Sequence, residues 1–76
     1  YPNPTTGQFT VSVNFVAEED AQVRIHDVLG RVLYDENAQG QSIQLTIDAS
    51  SWTGGAYFVQ VISKNGQTTR RLIVSK

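Results

Sequence analysis

Apolar and polar residues alternate without a fault along Phe9-Thr10-Val11-Ser12-Val13-Asn14-Phe15, and again through Val23-Arg24-Ile25-His26 and Ile43-Gln44-Leu45-Thr46-Ile47-Asp48. Successive side chains of an extended strand point to opposite faces, so each run offers one face to a core and one to water. The apolar positions are mostly β-branched or aromatic, types that suit a half-buried pleated surface. Helical periodicity of comparable length occurs nowhere, and the chain is expected to be all-β. With 76 residues and no cysteine, it forms one domain (1–76) near the lower size limit. Its stability must come from apolar packing and backbone hydrogen bonds, because no disulfide can help.

Turn-forming clusters separate the runs. Glu18-Glu19-Asp20 divides a first strand from a second, and Asp27-Val28-Leu29-Gly30 ends the second. Residues 31–36 read as the return strand of that hairpin, and Asn37-Ala38-Gln39-Gly40 leads into a strand over 42–48. A longer connection over 49–54 precedes a strand at 56–63. Asn65-Gly66 then signals a tight hairpin with both residues at the centre of a type I′ turn, followed by a last strand over 68–75. The spacing predicts an immunoglobulin-like antiparallel β-sandwich of six strands, with a seventh available from residues 1–4 or from upstream. Trp52-Thr53-Gly54-Gly55-Ala56-Tyr57 fits the tyrosine corner of such sandwiches, in which the phenol binds backbone a few residues upstream.

Several function classes find no support. A net charge of −1 and scattered basic residues do not make the patch that nucleic acid requires. No stretch is apolar over the length of a membrane span, and no signal peptide is visible. The chain lacks an initiator methionine, which points to a piece excised from a longer, exported protein.

Side chains that could do chemistry are few. His26 is the only histidine and falls on the polar face opposite Val23 and Ile25. Ser50-Ser51 has no glycine-flanked elbow around it and reads as a pair of loop hydrogen-bonders. Glu18-Glu19-Asp20 lacks the spaced oxygens and turning glycine of a calcium loop, and one histidine without cysteine cannot build a zinc site. The chain is expected to be no enzyme and to need no cofactor, metal or small-molecule substrate. Binding is the better-supported class. Phe58 and Ile62 share a face opposite Tyr57, Val59 and Val61; that face is either lidded by the Trp52 loop or left open as an apolar patch. Arg70 and Arg71 must point to opposite faces, so one lies on the apolar side with its head in water. They serve either as a charged edge that discourages aggregation or as a basic spot for a partner.

An ordered set of motifs carries a resemblance. Tyr1-Pro2-Asn3-Pro4 with Gly7, Asp27-Val28-Leu29-Gly30-Arg31, Gly55-Ala56-Tyr57, Asn65-Gly66, and Arg70-Arg71-Leu72-Ile73-Val74-Ser75-Lys76 follow one another over essentially the whole chain. This pattern resembles the type A C-terminal sorting domain of the type IX secretion system of certain Gram-negative bacteria. The resemblance implies an immunoglobulin-like sandwich that labels a cargo protein for export and has no catalysis of its own. It implies transit through the periplasm, recognition by the outer-membrane translocation machinery, and removal by a sortase-like cysteine peptidase acting upstream of Tyr1. The cargo then stays at the cell surface or is released. Carried onto this sequence, the recognition motif comprises Pro2, Asn3, Pro4, Gly7, Asp27, Gly30, Gly55, Tyr57, Gly66, Arg70, Arg71 and Lys76, with the C-terminal hairpin over residues 57–76 as the expected recognised element. A different class, a fibronectin-like accessory module that binds polysaccharide or protein through an aromatic face, fits the same strand pattern.

Overall fold

A computed structural model describes residues 4–75, and all its regular structure is β. Strands β1 (Gln8–Asp27), β2 (Val32–Asp48), β3 (Gly55–Ser63) and β4 (Gly66–Val74) form one antiparallel sheet in the order β2-β1-β3-β4. The six runs expected from the sequence are thus four strands in a single sheet, because at two of the predicted turns the strands continue through instead of ending. At Glu18-Glu19-Asp20, β1 continues, and Asn37-Ala38-Gln39-Gly40 lies inside β2 directly opposite.

What happens there is a corner. The register passes from Asn14↔Ser42 to Glu19↔Gly40, so residues 15–18 of β1 face the single residue Gln41. Extra residues on one strand bend it and let it turn from one layer to another. Straight, the 20 residues of β1 would reach roughly 66 Å at about 3.3 Å each, yet the molecule measures 37 Å along its longest axis. Both long strands therefore double back at the corner. The outer limb, residues 8–14 with 42–48, folds over the inner limb, residues 19–27 with 32–40, which β3 and β4 extend.

The core fills the space between the limbs. Phe9 and Ile47 come from the outer limb, Val23 and Ile25 from the inner, and Tyr57, Val59, Leu72 and Val74 from β3 and β4, all in one buried cluster with Ala49. Alternation selects these residues, since Val23 and Ile25 share one face of β1 while Gln22, Arg24 and His26 share the other. Trp52 closes the core at one end, edge-on to Phe9 at 6.0 Å and tilted against Tyr57 at 5.1 Å.

Two local expectations change. The β3–β4 turn is centred on Lys64 and Asn65 rather than Asn65 and Gly66, for Ser63 pairs with Gly66. No described non-glycine residue has a positive φ, so the turn is not type I′; Gly66, at φ 136°, opens β4. The face of Phe58 is not lidded by Trp52, which lies on the core side. Phe58 instead stacks on His26, its cross-strand neighbour, at 5.4 Å.

Candidate recognition surface

The strand directions collect most of the motif residues at one end of the sheet. β1 finishes at Asp27, which pairs with Tyr57, and Tyr57 pairs with Leu72. Gly55 pairs with Val74 at the same end. The opening segment joins them through Thr5, whose N–H donates to the carbonyl of Ile73 (2.9 Å) and whose carbonyl accepts from Ser75 N–H (2.8 Å). This short parallel bridge lays Thr5 along the outer edge of β4. Thr5 is buried, and its hydroxyl donates to the Gln8 carbonyl at 3.0 Å while accepting from Gly7 N–H at 3.2 Å. Gly7 in turn accepts from Ala49 N–H at 3.1 Å, which ties the segment to the 49–54 loop. Pro4 is exposed. Pro2, Asn3 and Lys76 lie outside the described residues, as does any strand over residues 1–3.

Within this end, Asp27 organises the turn between β1 and β2. Its Oδ1 accepts from the N–H groups of Leu29 and Arg31, each at 2.9 Å, and its Oδ2 takes Arg31 Nε at 2.8 Å. The backbone closes the same loop, with Asp27 N–H donating to Arg31 O and Gly30 N–H to Asp27 O, both at 3.0 Å. Gly30 adopts φ 86°, a left-handed conformation that costs glycine nothing and other residues more. Burial pushes the Asp27 carboxyl up, but the Arg31 N–H, the Arg31 side chain and the Leu29 N–H together outweigh it and leave the pKa lowered. Asp27 and Gly30 thus set the shape of the turn, and the side chains between them, Val28 and Leu29, are its outward surface.

Tyr57 occupies the expected corner, its hydroxyl donating to the Thr53 carbonyl at 2.5 Å. Gly66 lies at the opposite end of the sheet, beside the corner of β1, where Asn65 Nδ2 donates to Glu19 Oε2 at 3.1 Å. Arg70 and Arg71 sit mid-strand. Arg70, opposite Val59, carries the core-side parity of Leu72 and Val74 but is exposed, while Arg71, opposite Phe58, faces outward. The structure therefore gathers Pro4, Gly7, Asp27, Gly30, Gly55 and Tyr57 and separates them from Gly66. The β3–β4 hairpin runs the length of the sheet, with Tyr57 at one end and Gly66 at the other.

Thr5 and Arg31 escaped the sequence reading as structural partners. Thr5 is one threonine in a polar stretch, with no periodic signal. Arg31 was legible in principle, since a carboxylate four residues before a cation across a glycine turn can pair with it. Among the described residues no group of three or more His, Cys, Asp or Glu side chains converges in a way that could hold a metal ion. Ser50 and Ser51 are exposed in the loop, the Ser50 N–H donating to Asp48 Oδ1 at 2.9 Å.

Comparison with known proteins completes the picture. A family model described as a secretion system C-terminal sorting domain matches residues 1–75. An endo-acting ulvan lyase of Formosa agariphila is 28% identical over 76 residues, covering 100% of this chain and 14% of the lyase. An ulvan lyase of Nonlabens ulvanivorans is 29% identical over 76 residues, covering 99% of this chain and 14% of the lyase. No solved structure matches the chain.

Proposed function

We propose that this chain, which belongs to the type IX secretion C-terminal sorting domain family, is the folded export label of a longer cargo protein. The observation that carries this reading is the family match across residues 1–75. The geometry supports it: the family's motif positions serve a rigid surface rather than a reaction centre. A pre-folded label binds without the ordering cost that a flexible tail incurs.

In this reading the cargo crosses the periplasm, and the outer-membrane type IX machinery recognises the domain, Pro4, Gly7, Asp27, Gly30, Gly55 and Tyr57 shaping the recognised end. A sortase-like cysteine peptidase then cuts upstream of Tyr1, and the cargo is anchored at the surface or released. The matched lyases, of which this chain spans 14%, favour a polysaccharide-degrading cargo. The doubled-back sheet supports an immunoglobulin-like, type A sandwich in which β1 and β2 each contribute a segment to both layers.

The test is a periplasmic fluorescent protein carrying this domain and its natural upstream linker, expressed in a host with a working type IX system. Fluorescence should reach the cell surface or medium, and only when the domain is attached. Retention of a correctly folded fusion in the periplasm rules out the sorting role. Saccharide binding by such a retained fusion would point to the accessory-module class instead.

A further inference from the structure

The described residues expose five large apolar side chains, and four of them crowd into one place. Val28 (68% exposed), Leu29 (79%), Val32 (52%) and Leu33 (42%) occupy the β1–β2 turn and the first two residues of β2; only Val16 (98%), at the corner, stands apart. Single exposed aliphatics are ordinary, but a contiguous group marks a surface that meets something. A domain this small needs its apolar side chains for the core, so leaving four of them in water has no packing rationale. The apolar surface also continues onto the sheet. Val32 pairs with His26, and His26 stacks on Phe58. Leu33 is the residue left without a partner by the register shift between Ile25 and His26.

The turn holds these side chains in a fixed arrangement. Asp27 accepts three hydrogen bonds from inside the loop and Gly30 supplies the required φ, so Val28 and Leu29 are presented on a pre-shaped apex. Its charge is defined too. Asp27 is neutralised by Arg31 and two N–H groups, and Asp35, further along the sheet, is engaged by Gln22 and Arg24. Arg31 gives its Nε to Asp27 and its side chain is 76% exposed, so its other guanidinium N–H groups face solvent at the rim of the apolar apex, where they can donate to a second carboxylate.

We infer that residues 28–33 form an apolar docking knob for a protein partner that presents an apolar pocket rimmed by carboxylates. The inference rests on the sorting reading above and places the contact in the β1–β2 turn, with Asp27 and Gly30 as positioning residues and Val28, Leu29, Val32 and Leu33 as the contacts. An anionic lipid surface fits less well, since its recognition draws on clusters of about four to eight basic residues and the knob has Arg31 alone.

The test uses the same reporter fusion with Val28→Thr/Leu29→Gln, with Val16→Gln as the control. All three proteins should share one circular dichroism spectrum and one melting temperature, because these side chains are outside the core. Wild type and control should be exported, and the double variant should lose export by at least about tenfold, the loss expected when central apolar anchors are removed. Leu29→Lys should retain more export than Leu29→Asp, as a carboxylate rim requires. Undiminished export of the folded double variant overturns the knob alone, whereas failure of wild type to be exported overturns the sorting reading and the knob with it. Better export of Leu29→Asp than Leu29→Lys overturns the carboxylate rim. Binding of the wild-type fusion to phosphatidylglycerol vesicles, or a sedimenting dimer, lost in the double variant, overturns the protein partner.

Discussion

Asp27 joins sequence to function through one carboxylate. Its two oxygens collect two backbone N–H groups and the Arg31 guanidinium, and these interactions favour the charged form more than burial opposes it. The folded-state pKa is therefore below the ordinary carboxylate value of 3.8. A depressed folded pKa contributes stability that is present above the unfolded value and is lost as pH falls through the folded one. Wild-type melting temperature should therefore drop as the solution is acidified through and below about pH 4. Asp27→Asn should melt lower than wild type at pH 7 and lose less on acidification, as thermal melts across a pH series will reveal. A variant as acid-sensitive as wild type would remove Asp27 as a source of that slope. The position was legible in the sequence as part of D-x-x-G, but its duty was not. The sequence marks Asp27 and Gly30 as motif positions, and their hydrogen bonds and φ make them the frame on which Val28 and Leu29 are mounted. Tyr57, by contrast, was readable in full, because a glycine turn before a strand places the phenol next to the backbone it must bind.

At the scale of elements, the corner in β1 and β2 is where reading by turn signals failed, and the reason is physical. Charged and glycine-containing clusters relieve a chain of the need to be buried, and they serve a reversal and a corner equally well. The distinguishing clue was weak: Phe15-Val16-Ala17 breaks the alternation just before Glu18, as extra residues on one strand do. The consequence is measurable by amide hydrogen exchange. Residues 21–26 of β1 are flanked by β2 on one side and β3 on the other, so their amides should be the slowest in the molecule. Residues 15–18 have no register partner and should exchange orders of magnitude faster. Equal protection across β1 would mean that the strand does not turn at residues 15–18. The β3–β4 hairpin was found in the right place by Asn65-Gly66, but its centre shifted by one residue because the pairing of Ser63 with Gly66 decides the turn.

The whole molecule makes the C-terminal strand indispensable for reasons that precede recognition. Leu72 and Val74 belong to the core, and Ile73 and Ser75 hold the opening segment through Thr5. Deleting residues 70–76 removes both, and a domain with so little core has no reserve to absorb the loss. The truncated domain should lose its cooperative thermal transition in circular dichroism, so loss of export on such a deletion reports unfolding. A truncated form that still melts cooperatively would contradict this. Substitutions of Arg70 and Arg71, both exposed, are the proper probes of a basic role for this strand.

By itself, the sequence determined the β class, the two faces of every strand, the tyrosine corner and the family. Alternation, turn residues and motif order are local or linear properties, and they survive without knowledge of what touches what. Tertiary structure alone decided that six runs become four strands, that Thr5 bridges to the edge of β4, and that Val28, Leu29, Val32 and Leu33 remain outside. Those outcomes depend on which segments share the limited interior of a small domain. An apolar side chain in the sequence is a candidate for burial; only the closed fold settles which candidates find room.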